Sequence, residues 1–287
     1  MTPRQLRLRI FEGTRDLCLT HPRLRDAITA SKAAQTIYWE GDPIPVSHPR
    51  FSQPASLVLS PRKTVEAAQP YAAAGKRVCI LNFASSVAPG GGVVSGEQAQ
   101  EESICRVSTL YFALSDPDTA MKFYDRHWEL IRVGKMNRRN RDDIIYTPGI
   151  LAIRDDAAGE IMMEEERWYP MDVITCAAPD LRQSEDASQF TPSREELLQL
   201  HEVRWGKILA AAAANKADVL ILGAFGCGVF ANPLELVAEA FNHAVEPFRH
   251  HFETIEFAVY TPRPDSANYQ AFSHIRDIRE RCAYEGG

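Results

Sequence analysis

The feature that most constrains this chain is a succession of short, solidly apolar, β-branched runs separated by longer stretches of helical periodicity. Leu57-Val58-Leu59, Val78 to Phe83, Ile144 to Tyr146, Leu151 to Ile153, Asp172 to Cys176, Val219 to Leu222 and Ile255 to Tyr260 read as strands. Several are apolar at every position rather than alternating, which belongs to strands covered on both faces, so crossover helices and a largely parallel arrangement are expected. Helices are predicted over Thr64 to Ala74, Glu97 to Ala113, Ser193 to Ala214, Pro233 to His243 and Ala267 to Cys282. The N-terminal part has another rhythm: one helix from Pro3 to about Cys18, then a polar passage punctuated by Pro43, Pro45, Pro49 and Pro54. The expected organisation is an α/β fold, with a mixed, largely parallel central sheet flanked by helices over residues 56–287 and a helical N-terminal extension over residues 1–55. A chain of 287 residues that is 45% apolar has enough material to bury a large core.

In an open α/β sheet the ligand lies beyond the carboxyl ends of the strands. Two strand ends carry glycine-rich loops. Val78 to Phe83 runs into Ala84-Ser85-Ser86-Val87-Ala88-Pro89-Gly90-Gly91-Gly92, and Val219 to Leu222 runs into Gly223-Ala224-Phe225-Gly226-Cys227-Gly228-Val229-Phe230, each ahead of a helix. Residues without Cβ let backbone N–H groups come close to an anion, so together the loops can hold a diphosphate without lysine or arginine. That suits a chain whose 32 Lys+Arg and 38 Asp+Glu leave a net charge of −6, a balance that argues against a protein built to grip nucleic acid through its phosphates. Neither loop is a dinucleotide fingerprint or a P-loop, since Gly226-Cys227-Gly228 lacks the third glycine and no Gly-Lys-Ser/Thr follows. Cys227 has Phe225 and Val229 where a nucleophile elbow needs glycines, so it reads as a small residue packed under the loop.

The first loop leads into Glu97-Gln98-Ala99-Gln100-Glu101-Glu102-Ser103-Ile104-Cys105, with Ile104, Val107 and Tyr111 as an apolar stripe. Glu101 and Glu102 thus fall in the first turns of a helix, close to the loop. Carboxylates there are favoured by the helix dipole by about 0.3–1 kcal/mol, which is a sufficient structural reason for their presence. Beside a diphosphate crevice they also supply the proton-transfer groups that glycosidic cleavage requires. Adjacent helical positions diverge by about 100°, so the two are expected to have different jobs, one handling protons and the other holding ribose hydroxyls. The basic run Arg132, Lys135, Arg138, Arg139 and Arg141 reads as solvated surface, with a secondary contact to a polyanionic chain as its functional alternative.

Six cysteines at positions 18, 79, 105, 176, 227 and 282 are scattered, with no C-x-x-C pair and no histidine at zinc-ligand spacing. Reduced, mostly buried thiols and no metal are expected, and the doublet His250-His251 reads as a solvated helix end. Neither a secretory leader nor an apolar run of about 18 residues occurs, so a cytoplasmic protein without membrane contact is expected.

The triple glycine Gly90-Gly91-Gly92 followed, after a short spacer, by Gln100-Glu101-Glu102 resembles the signature of the bacterial-type poly(ADP-ribose) glycohydrolases, a branch of the macrodomain superfamily. Leu81-Asn82-Phe83-Ala84, Ser108-Thr109-Leu110-Tyr111, Tyr146-Thr147-Pro148-Gly149 and Gly223 to Phe230 look like family landmarks in the same order, so the resemblance covers residues 55 to 282. It implies a macrodomain-like fold and hydrolysis of ribose–ribose O-glycosidic bonds in poly(ADP-ribose), releasing ADP-ribose, with no cofactor and no metal. By motif position, Glu102 matches the glutamate that protonates the leaving ribose oxygen and then activates water, and Glu101 its partner that binds ribose hydroxyls. Gly90, Gly91 and Gly92 correspond to the loop around the distal ribose and phosphate, with Gln100 among the substrate-binding residues. Gly226, Cys227, Gly228, Val229 and Phe230 correspond to the diphosphate loop, Phe230 shaping the ribose side. Asn82 falls near the scissile ribose, and Tyr260 and Asn268 near the adenine. Ser85-Ser86 and Asn232-Pro233 depart from the common pattern.

The resemblance further implies poly(ADP-ribose), ADP-ribose and poly(ADP-ribosyl)ated proteins as partners, no direct DNA binding, a monomer, and a place in the DNA damage response. In such proteins the N-terminal extension can cap the terminal ribose and favour attack at chain ends. Two other functions fit the same fold: an ADP-ribose reader without turnover, and a hydrolase removing single ADP-ribose units. A reader has no chemical need for both Glu101 and Glu102.

Overall fold

The computed structural model describes residues 1–46, 48–183, 189–263 and 265–281. Its strands, in chain order, are β1 (Thr36–Tyr38), β2 (Ser56–Ser60), β3 (Val78–Phe83), β4 (Ile144–Ala152), β5 (Arg154–Asp155), β6 (Ile161–Met162), β7 (Tyr169–Cys176), β8 (Val219–Leu222), β9 (Thr254–Ala258) and β10 (Arg279–Glu280). The helices are α1 (Pro3–Thr20), α2 (Pro22–Ala33), α3 (Thr64–Ala73), α4 (Gln100–Val107), α5 (Leu110–Leu114), α6 (Pro117–Thr119), α7 (Arg126–Arg132), α8 (Arg194–Ala214), α9 (Leu234–Ala244) and α10 (Ala267–Phe272). A π-turn, Ala120–Asp125, joins α6 to α7.

One sheet organises the chain, in the order β1-β4-β7-β3-β8-β9-β2-β10, while β5 and β6 form a separate hairpin. Every pair from β7 outward to β10 is parallel, and β4 runs antiparallel to both its neighbours. The sheet is therefore mixed and largely parallel, and the solid apolar runs have their reason in its two covered faces. Successive strand residues point to opposite sides. Cys79, Leu81, Leu220 and Leu222 enter a core with Trp205, Phe225, Phe241 and Phe257 under α8 and α9. Val78, Ile80, Val219 and Ile221 enter the other, with Ile104, Cys105, Val107 and Leu110 of α4 and α5.

Several boundaries differ from the sequence reading, each for a local reason. The helix expected over Glu97 to Ala113 is two helices. Ser108 is extended (φ −144°, ψ 177°) and its hydroxyl bonds back to Ile104 O, while Thr109 N donates to Leu151 O. The backbone at residues 108 and 109 thereby joins the end of β4 rather than the helix. Ile144 to Tyr146 and Leu151-Ala152 are parts of one strand, β4, which stops short of Ile153 and is interrupted by a register shift between Thr147 and Ile150 where Pro148 has no N–H to give the ladder. The helix expected to run from Ala267 to Cys282 ends at Phe272, and the chain returns as β10 beside β2. Cys282 lies outside the described residues. Helix α2 and strand β1, which pairs with β4 through Thr36↔Tyr146, were not anticipated within the N-terminal extension. Among the described residues no helix is long and apolar enough to cross a membrane.

Candidate active site

Strands β3 and β8 are adjacent and parallel, so the two glycine loops leave the same edge of the sheet side by side. They touch through apolar residues: the Phe83 and Phe225 rings lie 5.8 Å apart, and a Cβ on Gly223 would come within 2.9 Å of the Phe83 ring. Helix α4 begins next to them, fastened by Gln100. Its side-chain oxygen accepts from Phe83 N at 2.8 Å, and its amide donates to Leu81 O at 2.7 Å and to Thr64 Oγ1 at 3.1 Å. Gln100 was expected among the substrate-binding residues, and the structure spends both ends of its amide on the protein. It sets the register of the helix against the end of β3.

The first glycine loop is wrapped around the two glutamates. Glu101, 2% exposed, accepts from Ser85 N at 2.7 Å and from the Asn82 amide at 3.1 Å, and the Gly90 N–H also points at it. Glu102, 6% exposed, accepts from Gly92 N at 2.7 Å through Oε1, whereas its buried Oε2 has no partner among the described residues. Although the side chains leave the helix in different directions, both carboxyls converge on Gly91. A Cβ there would lie 2.4 Å from Glu102 Oε1 and 3.0 Å from Glu101 Oε2, and φ is +57°. Only glycine fits such a position without strain. Burial pushes the Glu101 carboxyl up to about 8, with the charge of Glu102 adding to it, against the opposing donors of Ser85, Asn82 and Gly90. Glu101 is thus largely neutral near pH 7 and adds no full second negative charge next to an anionic ligand.

The second loop is organised differently. The N–H groups of Gly228, Val229 and Phe230 donate to no acceptor among the described residues, and Gly228 and Val229 are exposed. Free amides in a turn are what an anion requires. The loop is shaped from beneath by Asn232, whose amide donates to Pro179 O at 2.7 Å and Gly226 O at 3.0 Å. Asn232 Oδ1 in turn accepts from His201 Nε2 of α8 at 2.9 Å. Burial holds His201 down at about 4, so the ring is neutral and its Nε2–H is the donor. Phe230 is half-buried, with the Arg182 guanidinium 5.3 Å above its ring, and Arg182 is held by Asp180 at 2.7 and 2.9 Å. Burial pushes the Cys227 thiol up to about 12, so it carries little thiolate and packs under the loop as the sequence suggested.

The remaining expected residues lie farther along the sheet. Tyr260 follows β9 and is 60% exposed, with Lys63 Nζ 5.7 Å from its ring, and Asn268 is exposed on α10. The order β3-β8-β9 sets Tyr260 two strands from the end of β3, about 10 Å at the usual spacing. Residues that sequence reasoning missed brace the first loop from outside. His127, buried on α7, bridges Ser86 O at 2.8 Å and Asp143 at 2.9 Å, and Trp128 Nε1 donates to Val87 O. The basic run is mostly paired internally: Arg132 with Glu129, Arg138 with Asp180, Arg139 with Glu40, and Arg141 with Glu40 and Asp143. Among the described residues no group of His, Cys, Asp and Glu side chains could hold a metal ion, and His251 of the doublet is buried beside Phe248 rather than solvated.

The profile of the microbial-type PARG catalytic domain matches residues 19–155. The fold is similar to the crystal structure of poly(ADP-ribose) glycohydrolase from Thermomonospora curvata, at 30% identity and a TM-score of 0.81, over 94% of this chain and 98% of that one. The same enzyme bound to the inhibitor ADP-HPD aligns with a TM-score of 0.76 at 29% identity, covering 94% and 98%. The enzyme from Deinococcus radiodurans in complex with ADP-ribose aligns at 27% identity with a TM-score of 0.70, covering 85% and 94%. No curated protein sequence gives a match.

Proposed function

This chain belongs to the microbial-type poly(ADP-ribose) glycohydrolases, a family of glycosidases, and from that premise we infer how its own residues cleave the polymer. It hydrolyses poly(ADP-ribose). The observation that carries the assignment of roles is the asymmetry of Glu102: Oε1 is occupied by the Gly92 N–H, and Oε2, buried beside it, is unpartnered. An oxygen that already accepts an N–H bond is the poorer place for a proton, so Oε2 is the oxygen through which Glu102 exchanges one with substrate and water. Glu102 protonates the oxygen of the departing ribose, and the resulting carboxylate takes a proton from the water that attacks the sugar carbon. Glu101 and Asn82 orient the ribose hydroxyls. The free amides of Gly228, Val229 and Phe230 hold the diphosphate, with Phe230 against the ribose, and Tyr260 and Asn268 receive the adenine.

The order of elements supports this placement. Glutamates of α4 beside the end of β3, free amides after β8 and an exposed aromatic after β9 follow the sequence ribose, diphosphate, adenine across one edge of the sheet. Residues 56–287 are the catalytic unit and residues 1–55 an accessory extension packed on it. The described cysteines are free thiols, which suits the reducing cytoplasm where we place the protein. There it acts as a monomer on poly(ADP-ribosyl)ated proteins in the DNA damage response, without contacting DNA. The reader alternative is disfavoured by the unpartnered acid oxygen, which a binding module has no use for.

The test is Glu102→Gln, which keeps an oxygen for the Gly92 N–H and removes the proton. Incubated with radiolabelled polymer and followed by chromatography of the products, this variant should release ADP-ribose at least about 10²-fold more slowly. Its affinity for ADP-ribose should stay within a few-fold of wild type. Turnover near the wild-type rate refutes the role given to Glu102.

A further inference from the structure

Three consecutive carbonyls just before α4 are each held by an arginine. Ser95 O accepts from Arg4 Nε at 2.7 Å, Gly96 O from Arg7 Nε at 2.8 Å, and Glu97 O from an Arg106 terminal nitrogen at 3.0 Å. Arg4 and Arg7 stand about one turn apart on α1. Arg7 also reaches Gln98 Oε1 at 3.1 Å, and α1 lies so close that a Cβ on Gly96 would meet Leu8 at 2.9 Å. Arg106 is anchored by buried Glu160 at 2.8 Å, and its own carbonyl accepts from Thr14 of α1 at 2.6 Å.

This clamped stretch is wired to the catalytic loop. Gly92 O accepts from Ser95 N at 3.0 Å, Ser95 Oγ at 3.0 Å and Glu97 N at 3.1 Å, so Gly92 cannot turn unless residues 95–97 move with it. Gly92 N–H is the donor to Glu102 Oε1. We propose that Arg4 and Arg7 of the N-terminal helix are positioning residues for hydrolysis, pinning Ser95 and Gly96 so that Gly92 holds Glu102 with Oε2 directed to substrate. The inference rests on the hydrolase reading and adds to it a task for α1 carried out through loop backbone rather than through contact with the sugar. Guanidinium donors suit it, because charge-assisted bonds to carbonyls are stronger than neutral ones.

Arg4 is exposed and Arg7 partly so, and neither forms a buried ion pair, so Arg4→Ala/Arg7→Ala leaves the core intact. In this double variant kcat on polymer should fall about 10–100-fold, the scale of a catalytic group displaced by an ångström, with KM and ADP-ribose affinity unchanged. Arg4→Lys/Arg7→Lys should recover part of the loss. Arg15→Ala, which removes a charge from the same helix where the only partner among the described residues is Asp16, should match wild type. Amide exchange should show Gly92 losing protection in the alanine pair alone. Unchanged kcat, an equal loss in Arg15→Ala, or full protection at Gly92 overturns the clamp. Should the double variant unfold, single Arg4→Ala is read by the same measurements. Wild-type protein inert toward polymer sinks the hydrolase reading instead, whereas an active wild type with an equally active double variant sinks only the clamp.

Discussion

Two carboxyls one residue apart sit in different surroundings, set by what their oxygens touch. Glu101 is sealed from water, so its proton is retained up to about pH 8, far above the usual 4.5, although both its oxygens accept hydrogen bonds that pull the other way. The folded protein therefore binds more protons than the unfolded chain between those values. Stability from this group is full below about 4.5 and is lost as pH rises toward 8, by up to about 1.4 kcal/mol per pH unit. Glu101→Gln keeps the neutral shape and cannot ionise. The stability difference between wild type and Glu101→Gln, measured by urea unfolding at a series of pH values, should shift in favour of the variant from pH 5 to 8. A difference that does not vary with pH means that Glu101 is not held neutral. Turnover of Glu101→Gln should fall less than that of Glu102→Gln, because in the proposed roles it alters a ribose contact and not the proton donor.

At the scale of elements, the unit is the loop from Ser85 to Gly92 together with the first turn of α4, each shaping the other. Gly91 is where they press together, and Gly91→Ala puts a methyl group onto Glu102 Oε1 at a positive φ. The backbone cost is about 1–2 kcal/mol, and the displaced carboxyl should lower kcat about 10²-fold with little change in KM. Steady-state kinetics on polymer checks this, and near-normal kcat means Glu102 does not need that position. These contacts were largely legible in the sequence, because triple glycine, Gln100 and both glutamates lie within one short stretch and carry their signal in order. The supports were not. His127 meets Asp143 16 residues away and His201 meets Asn232 31 residues away, pairs that no local periodicity announces. The break at Ser108 was hidden for a similar reason: Ile104, Val107 and Tyr111 keep a helical stripe across it, while the competing partner is the end of β4. Strand β1 escaped because its three residues, Thr36 exposed and Ile37 and Tyr38 partly exposed, carry too little apolar pattern.

At the scale of the whole molecule, a sheet with two covered faces divides the labour. One core seats Phe225 of the second glycine loop, the other seats Ile104 and Cys105 of the glutamate helix, and β3 and β8 contribute to both. A ligand lying along the shared edge engages both halves at once and binds only the folded chain. ADP-ribose at about 100 times its Kd should then add about 2.7 kcal/mol to the unfolding free energy. For a chain of this size that is roughly 5 °C or more in melting temperature. Glu102→Gln should keep the full shift, since it removes a proton donor and no binding group. Phe230→Ala, if it weakens affinity tenfold, should retain about half of it at the same ligand concentration, because 1.4 kcal/mol corresponds to that factor. Differential scanning fluorimetry with and without ADP-ribose reads all three proteins. No shift in the parent removes the ligand from this edge of the sheet altogether. An undiminished shift in Phe230→Ala leaves the ligand there but takes Phe230 out of its contact.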